Sequence, residues 1–147
     1  MRNAGGSEQE PTFEILEHPA DVGFLAYGAT QEELFQNAAA ALLALGCETT
    51  AIEERERREV TAEGEDAEAL LYAWLAEILA VADAEGLVFR RAEVTEMDEG
   101  RVRGVAVGEK FDRSRHNAGT YIKAVTFHQL EVRRTDQGWK ARVFLDV

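Results

Sequence analysis

Apolar residues recur at spacings of three and four across residues 66–86, and this stripe restricts the possible folds more than any other feature of the sequence. The stripe is broad and consists of Leu70, Leu71, Trp74, Leu75, Ile78, Leu79 and Ala82. Such spacing is typical of a helix that buries one wide face, so we expect this helix to cover a sheet. Asp66 is its predicted N-cap, and the helix should end at residues 84–86.

A second helix is predicted by a capping box that runs from Thr30 to Glu33, followed by an apolar face that reaches about Leu45. Gly46 is placed to terminate it in the C′ position. Segments rich in β-compatible residues surround both helices, at 13–16, 22–27, 58–63, 87–94, 101–107, 121–134 and 139–146. This order predicts an α+β fold, in which two amphipathic helices pack on one face of an antiparallel or mixed sheet.

The length and composition fit one globular domain. The chain has 147 residues, of which 46% are hydrophobic and 30% are charged. Residues 1–11 are polar and are predicted to be a disordered tail, so the domain should span residues 12–147. With no apolar secretory segment, no membrane span and a single cysteine, Cys47, the expected compartment is the cytoplasm.

The charge is distributed unevenly along the chain. Residues 1–100 hold 6 basic and 23 acidic residues, a net charge of −17, whereas residues 101–147 hold 10 and 5, a net charge of +5. A chain with a total of −12 should not bind nucleic acid by general phosphate neutralisation. The acids either cover solvated helix faces or form a surface that meets a basic partner.

The familiar catalytic patterns are missing from the sequence. It has no phosphate-binding loop, no dinucleotide-binding glycine motif and no serine nucleophile elbow. Cys47 lies among acids, which should raise the pKa of its thiol. His18, His116 and His128 could form a metal site in principle, but their spacing favours ordinary hydrogen-bonding histidines. We therefore expect no catalytic constellation in this chain.

Two aspartates are better placed for a cation. Asp21 follows a proline in the predicted turn between the first two strands, and Asp146 follows the apolar run at 143–145. A carboxylate beside a buried strand needs a cation, hydrogen-bond donors or solvent. If the last strand lies near the first loop, these residues would offer only oxygen ligands, which favour Ca²⁺, Mg²⁺ or Mn²⁺ over Zn²⁺. Spacing alone does not distinguish this site from an ordinary turn aspartate.

The segment HPADVGFLAYG at residues 18–28 resembles the opening signature of the archease family. Matching blocks follow in order: EDAEALL at 65–71, EGLVF at 85–89, GE at 108–109, His116, YIKAVTFH at 121–128, GW at 138–139 and DV at 146–147. The resemblance covers roughly residues 12–147. One departure is Pro19, which stands where the family usually has threonine, so a loop hydroxyl is lost.

The resemblance implies an accessory protein of the RtcB-type RNA ligase, which joins tRNA halves using GTP and metal and forms a covalent guanylate on its own histidine. Archeases promote this guanylylation and sustain multiple turnover. Carried over to this chain, the family's metal site corresponds to Asp21, Asp146 and the main-chain oxygen of Val147. Lys123 and His18 are further candidates for contact with the partner or its nucleotide.

Two other functions compete with ligase activation. A metal-dependent phosphohydrolase could act on a small phosphate substrate through Asp21 and Asp146. A chaperone-like protein could instead modulate RNA-modifying enzymes such as methyltransferases. Turnover by the purified chain alone would favour the first, and methyltransferase binding without an effect on the ligase would favour the second.

Overall fold

A computed structural model describes residues 12–17 and 21–147. The predicted tail at residues 1–11 and the candidate His18 lie outside this part of the chain. The described elements are β1 (Phe13–Glu17), β2 (Asp21–Gly28), α1 (Gln31–Gly46), β3 (Glu56–Glu63), α2 (Ala67–Glu85), β4 (Leu87–Met97), β5 (Arg101–Lys110), β6 (Ala124–Val125), β7 (Glu131–Thr135) and β8 (Gly138–Asp146). The predicted α+β class with antiparallel strands is confirmed.

Both helices begin as their capping residues predict. The Thr30 side chain accepts a hydrogen bond from the Glu33 amide at 3.1 Å, and the Glu33 carboxylate accepts one from the Ala29 amide at 2.5 Å. The Asp66 side chain accepts from the Ala69 amide at 2.8 Å. The bonds from the Glu33 and Ala69 amides satisfy backbone N–H groups that the first helical turn leaves without a partner. The Glu33 carboxylate bonds the Ala29 amide, one residue before the N-cap amide that a capping box predicts.

The helix ends differ from one another. Gly86 caps α2 in the left-handed region, with φ of 67°, as its position predicts. Gly46 does not occupy the predicted C′ position, because it is the last helical residue and Cys47 forms an extended C-cap. Among the residues that the structure describes, neither helix is long and apolar enough to cross a membrane.

The described strands form two sheets with the helices in contact with both. One sheet has the order β1-β2-β8-β6, with β7 also paired to β8, and the other has the order β3-β5-β4. Helix α1 contacts β2 and β4, and α2 contacts β3 on one side and β6 and β7 on the other. The sequence predicted that the helices pack on one face of one sheet, whereas in the structure they lie between two sheets and contact both. The apolar surface of α2 is wide enough to be buried from two sides.

Strand β8 lies at the centre of the larger sheet. It pairs with every residue of β2, from Gly28 opposite Trp139 to Asp21 opposite Asp146. Alternate residues of both strands face the helices and are buried, as Phe24 and Val143 are. The remaining residues, including both aspartates, project from the opposite face.

The predicted strand at 121–134 is wrong as a single element. The structure has a two-residue strand, β6, followed by a turn at 126–130 and then by β7. Gln129 in this turn has φ of 52°, which a continuous strand does not permit. Ladder bonding resumes at Glu131, opposite Arg142 of β8.

The smaller sheet approaches α2 closely at Gly104 of β5. A Cβ atom at this position would lie 2.5 Å from Cη2 of Trp74 and would also clash with the main-chain oxygen of Glu93 in β4. Trp74 is fully buried, and its ring N–H donates to the Phe35 carbonyl of α1 at 3.1 Å. Glycine at 104 therefore determines how deeply the Trp74 ring can enter the core.

We expect Gly104→Ala to lower the free energy of unfolding by about 1–3 kcal/mol, because the added methyl group overpacks a well-filled core. The matched control is Gly46→Ala, since a Cβ atom there meets nothing within 4 Å. That change should raise the free energy of unfolding by about 0.4–1 kcal/mol through reduced unfolded-state entropy. Urea denaturation of both variants tests the pair, and equal midpoints would contradict the packing account.

Candidate functional site

The two candidate aspartates face each other across the β2–β8 ladder. Asp21 is the first residue of β2, Asp146 is the last residue of β8, and the register places them directly opposite. Directly opposite residues of an antiparallel pair project to the same face of the sheet. Asp21 is half-buried and Asp146 is exposed. Residues 125 positions apart in the sequence are thus brought together at one end of the sheet.

This pair of like charges is uncompensated within the described chain. Neither Asp21 nor Asp146 makes an ion pair with another described residue. Like charges directly opposite each other in a ladder destabilise it. The arrangement is therefore one that an external cation would stabilise.

Val147 and Lys123 lie at the same end of the sheet. Val147 follows Asp146 directly and packs partly against the core, which holds its backbone beside the carboxylate pair. The Lys123 amide donates to the Asp146 carbonyl at 2.8 Å, and Ala124 pairs with Asp146 in the ladder. Ile122 is buried while Lys123 is exposed, so the lysine side chain faces solvent.

The donor set suits a hard divalent cation. Two carboxylates and a nearby main-chain carbonyl supply only oxygen, as Ca²⁺, Mg²⁺ and Mn²⁺ prefer. Within residues 12–17 and 21–147, no group of three or more His, Cys, Asp or Glu side chains could hold a metal ion. A cation at Asp21 and Asp146 would thus be bound through two side chains and would keep several waters, which is common for Mg²⁺. The site considered for His18, His116 and His128 includes a residue outside the described part of the chain.

The neighbouring pair on the same face is Gly23 opposite Phe144. A Cβ atom at position 23 would lie 2.6 Å from Cδ1 of Phe144, so the phenyl ring covers the glycine directly. The His128 ring lies against Phe144, with ring centroids 5.7 Å apart. The sequence gives no sign of this aromatic packing beside the aspartates, because it depends on the β2–β8 register.

A second polar cluster is buried at the end of β5. The carboxylate of Glu109 accepts hydrogen bonds from the Glu53 amide at 2.8 Å, from His116 Nε2 at 2.9 Å and from the Arg115 guanidinium. The Asp112 amide donates to His116 Nδ1 at 2.9 Å, which leaves the proton of the neutral imidazole on Nε2. Nothing in the sequence predicts this cluster, in which Glu109 of β5 meets His116 of the following loop.

The hydrogen bond from the Glu53 amide lowers the pKa of Glu109 more than any other interaction does. Together with His116 and Arg115, it holds the pKa at about 2, against the opposing effect of burial. The cluster ties the loop after β5 to the segment before β3. It forms one wall of an open cleft of about 730 Å³. Every polar atom of the Glu109 side chain has a hydrogen-bond partner, so the cluster stabilises the fold at this position.

Cys47 is not an activated nucleophile. It is buried beside the end of α1, and burial raises the pKa of its thiol, with the neighbouring Glu48 charge adding to the effect. The predicted direction is confirmed, but burial outweighs the acidic neighbour as its cause. A thiol with a raised pKa is mostly protonated at neutral pH and is therefore unreactive.

Comparison with known proteins gives a consistent result over nearly the full chain. The family model described as the Archease protein family (MTH1598/TM1083) matches residues 13–147. Protein archease of Methanosarcina mazei is 41% identical over 143 residues, covering 95% of this chain and 98% of that protein. Protein archease of Pyrococcus abyssi is 39% identical over 139 residues, covering 92% and 98%.

Two solved structures share the fold. The solution structure of protein 1598 from Methanobacterium thermoautotrophicum has a TM-score of 0.79 and 39% identity, covering 92% of this chain and 99% of that one. The crystal structure of an archease from Thermotoga maritima, described as a possible chaperone, has a TM-score of 0.62 and covers 96% and 98%. At 23% identity the second similarity supports the fold alone.

The lowered pKa of Glu109 predicts a defined loss of stability in acid. Its folded-state pKa of about 2 lies below the ordinary value of 4.5, so ionised Glu109 stabilises the fold above pH 4.5. That contribution disappears as the pH falls from 4.5 to about 2. Glu109→Gln should therefore be less stable than the wild type at pH 7, and the difference should narrow across this window.

Melting temperatures measured from pH 7 to pH 2 check this expectation. Glu99→Gln is the matched control, because Glu99 is an exposed residue in the turn between β4 and β5. The control should follow the wild-type curve throughout. Parallel curves for wild type and Glu109→Gln would contradict the stabilising role of this carboxylate.

Proposed function

Since this chain belongs to the archease family, we propose that it is an accessory protein that activates an RtcB-type RNA ligase in tRNA splicing or RNA repair. In this proposal it promotes guanylylation of the ligase and sustains multiple turnover. The observation that supports it best is the β2–β8 register, which puts Asp21 opposite Asp146 beside Val147. These are the residues onto which the family's metal site maps.

The proposed role of the aspartates is to hold a divalent cation at the surface. Asp21 and Asp146 would bind it through carboxylate oxygens, and Val147 through its main-chain oxygen. A bound cation supplies positive charge that can interact with phosphate oxygens of a nucleotide. Because the sheet fixes both strand ends, the aspartates offer this site without a large rearrangement.

Lys123 is proposed to act beside this site on the partner or its nucleotide. Its backbone is bonded to Asp146, and its side chain is exposed. No described acid lies within ion-pair distance of its ammonium group. A lysine without an internal acidic partner is available to contact a phosphate as a point charge.

The charge of the chain supports a protein partner over direct RNA binding. The net charge of −12 disfavours contact with an RNA backbone but suits a ligase whose own RNA-binding surface is basic. The proposed location is the cytoplasm, without membrane attachment. GTP is used by the partner ligase, and this chain acts as an activator without catalysis of its own.

A second candidate is a chaperone-like role toward RNA-modifying enzymes such as methyltransferases. The related Thermotoga maritima protein is described as a possible chaperone, which favours keeping this alternative. Binding to a methyltransferase without any effect on ligase guanylylation would support it. Phosphate release by the purified chain alone would instead support a phosphohydrolase.

The cation proposal predicts that the wild type and Asp146→Asn exchange their order of stability when a divalent cation replaces a chelator. In the presence of a chelator, Asp146→Asn should be more stable than the wild type by about 0.2–1 kcal/mol, because the opposed like charges are removed. With saturating Ca²⁺, Mg²⁺ or Mn²⁺, the wild type should become the more stable protein, since only the folded wild type binds the cation well. Melting temperatures that do not respond to any of the three cations would contradict the site.

The ligase proposal is tested by measuring covalent guanylylation of the purified ligase with and without this chain. The wild-type chain should increase both the guanylylated fraction and the number of turnovers. Asp21→Asn and Asp146→Asn should each reduce this stimulation at least tenfold and should remain folded. Lys123→Ala should reduce stimulation without changing the melting temperature.

Asp136→Asn is the matched control for that assay. Asp136 is an exposed aspartate in the turn between β7 and β8, at the other end of the sheet from the aspartate pair. This variant should stimulate the ligase as the wild type does. Full stimulation by both site variants would show that the aspartate pair is not required.

A further inference from the structure

A small apolar pocket lies between the C-terminal turns of the two helices, and we call it the helix-end pocket. Its volume is about 200 Å³, and it is open to solvent. Its apolar wall comes from α1, α2 and β4 and consists of Leu42, Leu43, Leu79, Ala82, Leu87 and Phe89. An apolar cavity of about 150 Å³ holds a benzene molecule. The helix-end pocket therefore has room for an apolar group of the size of one side chain.

Main-chain hydrogen bonds hold one wall of the pocket in place. The Gly119 amide donates to the Gly46 carbonyl at 3.0 Å, and the Thr120 amide donates to the Leu45 carbonyl at 2.9 Å. These bonds fix residues 118–122, which line the pocket, against the end of α1. The pocket is thus formed without a ligand, and a preformed pocket binds at a lower entropic cost.

The electrostatic environment of the pocket favours a positive charge. The C-terminal turns of both helices line it, and a helix C-terminus carries a partial negative charge. Neither of these last turns contains a basic residue. A cation brought to this position from outside would interact favourably with both helices.

Asp83 adds a full negative charge at the pocket. It is exposed in the last turn of α2, where the helix dipole opposes a negative charge. Its carboxylate makes no hydrogen bond or ion pair with another described residue. Glu85 in the same turn pairs with Arg58 at 2.8 Å, and its carbonyl accepts from the Lys110 ammonium at 3.0 Å. Of these two acids, Asp83 is therefore the one available to an external cation.

Tyr121 places an aromatic ring at the same pocket. Its side chain is 70% exposed, although the following residue, Ile122, is buried. The face of an aromatic ring attracts an ammonium or guanidinium group. An apolar wall, a carboxylate and an aromatic ring together are complementary to a cationic group on an apolar stem. Lysine and arginine side chains have this chemistry.

We propose that the helix-end pocket receives a lysine or arginine side chain of the RNA ligase. The aliphatic stem packs against the apolar wall, while the charged group pairs with Asp83 and lies against the Tyr121 ring. The net charge of −12 favours encounter with a basic protein surface, from which such a side chain would come. This inference rests on the proposed function and adds one contact between the two proteins.

Calorimetry of the full chain with the ligase tests this contact. Asp83→Asn and Tyr121→Ala should each raise the dissociation constant about threefold or more, whereas Tyr121→Phe keeps the ring and should stay within about twofold of the wild type. Asp83→Asn should melt no lower than the wild type, because it removes a negative charge from a helix C-terminus. Weaker binding by this variant would therefore not result from unfolding. Asp136→Asn, in the turn between β7 and β8, is the matched control and should bind as the wild type does.

A pair of small probes tests the chemistry of the pocket without the ligase. Phenethylamine and 2-phenylethanol carry the same ring on the same stem, but only the amine is charged at neutral pH. In a titration followed by NMR, the amine should bind the wild-type chain at least about twofold more tightly, and Asp83→Asn should abolish this preference. Absence of binding, or equal binding of the two probes to the wild type, would overturn the proposed pocket chemistry.

The two measurements also separate this inference from the proposed function. A preference for the amine together with wild-type ligase affinity in both Asp83→Asn and Tyr121→Ala would mean that the pocket serves a small amine. That result would overturn the ligase contact, while stimulation of guanylylation by the wild-type chain would leave the proposed function intact. Failure of the wild-type chain to bind the ligase and stimulate guanylylation would overturn both.

Discussion

The antiparallel pairing of β2 with β8 is the interaction on which the rest of this structure depends. The ladder runs from Gly28 opposite Trp139 to Asp21 opposite Asp146. Its buried face supplies part of the core around both helices. A shift of one residue would turn every side chain to the other face, so burial of the apolar face fixes the register. The position of the two aspartates is therefore a consequence of core packing.

The same ladder also organises the surface around the aspartates. Phe144 covers Gly23 beside the aspartate pair, and its carbonyl holds Thr126 and hence the following turn. The exposed Phe127 ring is thus supported by β8 through Thr126 and by α2 through Tyr72. The candidate cation site and the turn that carries Phe127 therefore share β8 as their structural support.

Local sequence patterns predicted the elements better than their assembly. Thr30 and Asp66 cap their helices through the side-chain bonds that their positions indicate. The break after β6 was missed because residues 121–134 are largely compatible with a strand, whereas the turn depends on bonds to Phe144 and Arg142 of a distant strand. Periodicity shows that a helix is apolar but does not show how many sheets cover it.

For the candidate site as well, the sequence predicted the residues but not which of them lie close together. The chemistry of Asp21 and Asp146 can be read from residue type, but their proximity follows from a register between strands at opposite ends of the chain. Glu109 was named only as part of a family block and His116 as an ordinary hydrogen-bonding histidine, because a buried carboxylate network in an arginine-rich loop has no distinct local pattern. Residue types thus indicated which atoms could act, and long-range pairing determined which of them meet.

The central claim is that the β2–β8 register builds an oxygen-only cation site from Asp21, Asp146 and Val147. The most direct test is a crystal structure grown with Mn²⁺, in which anomalous scattering locates the ion. The account predicts an anomalous peak in contact with carboxylate oxygens of both aspartates, with water completing the coordination. A well-ordered Asp21–Asp146 pair without such a peak at saturating Mn²⁺ would contradict it.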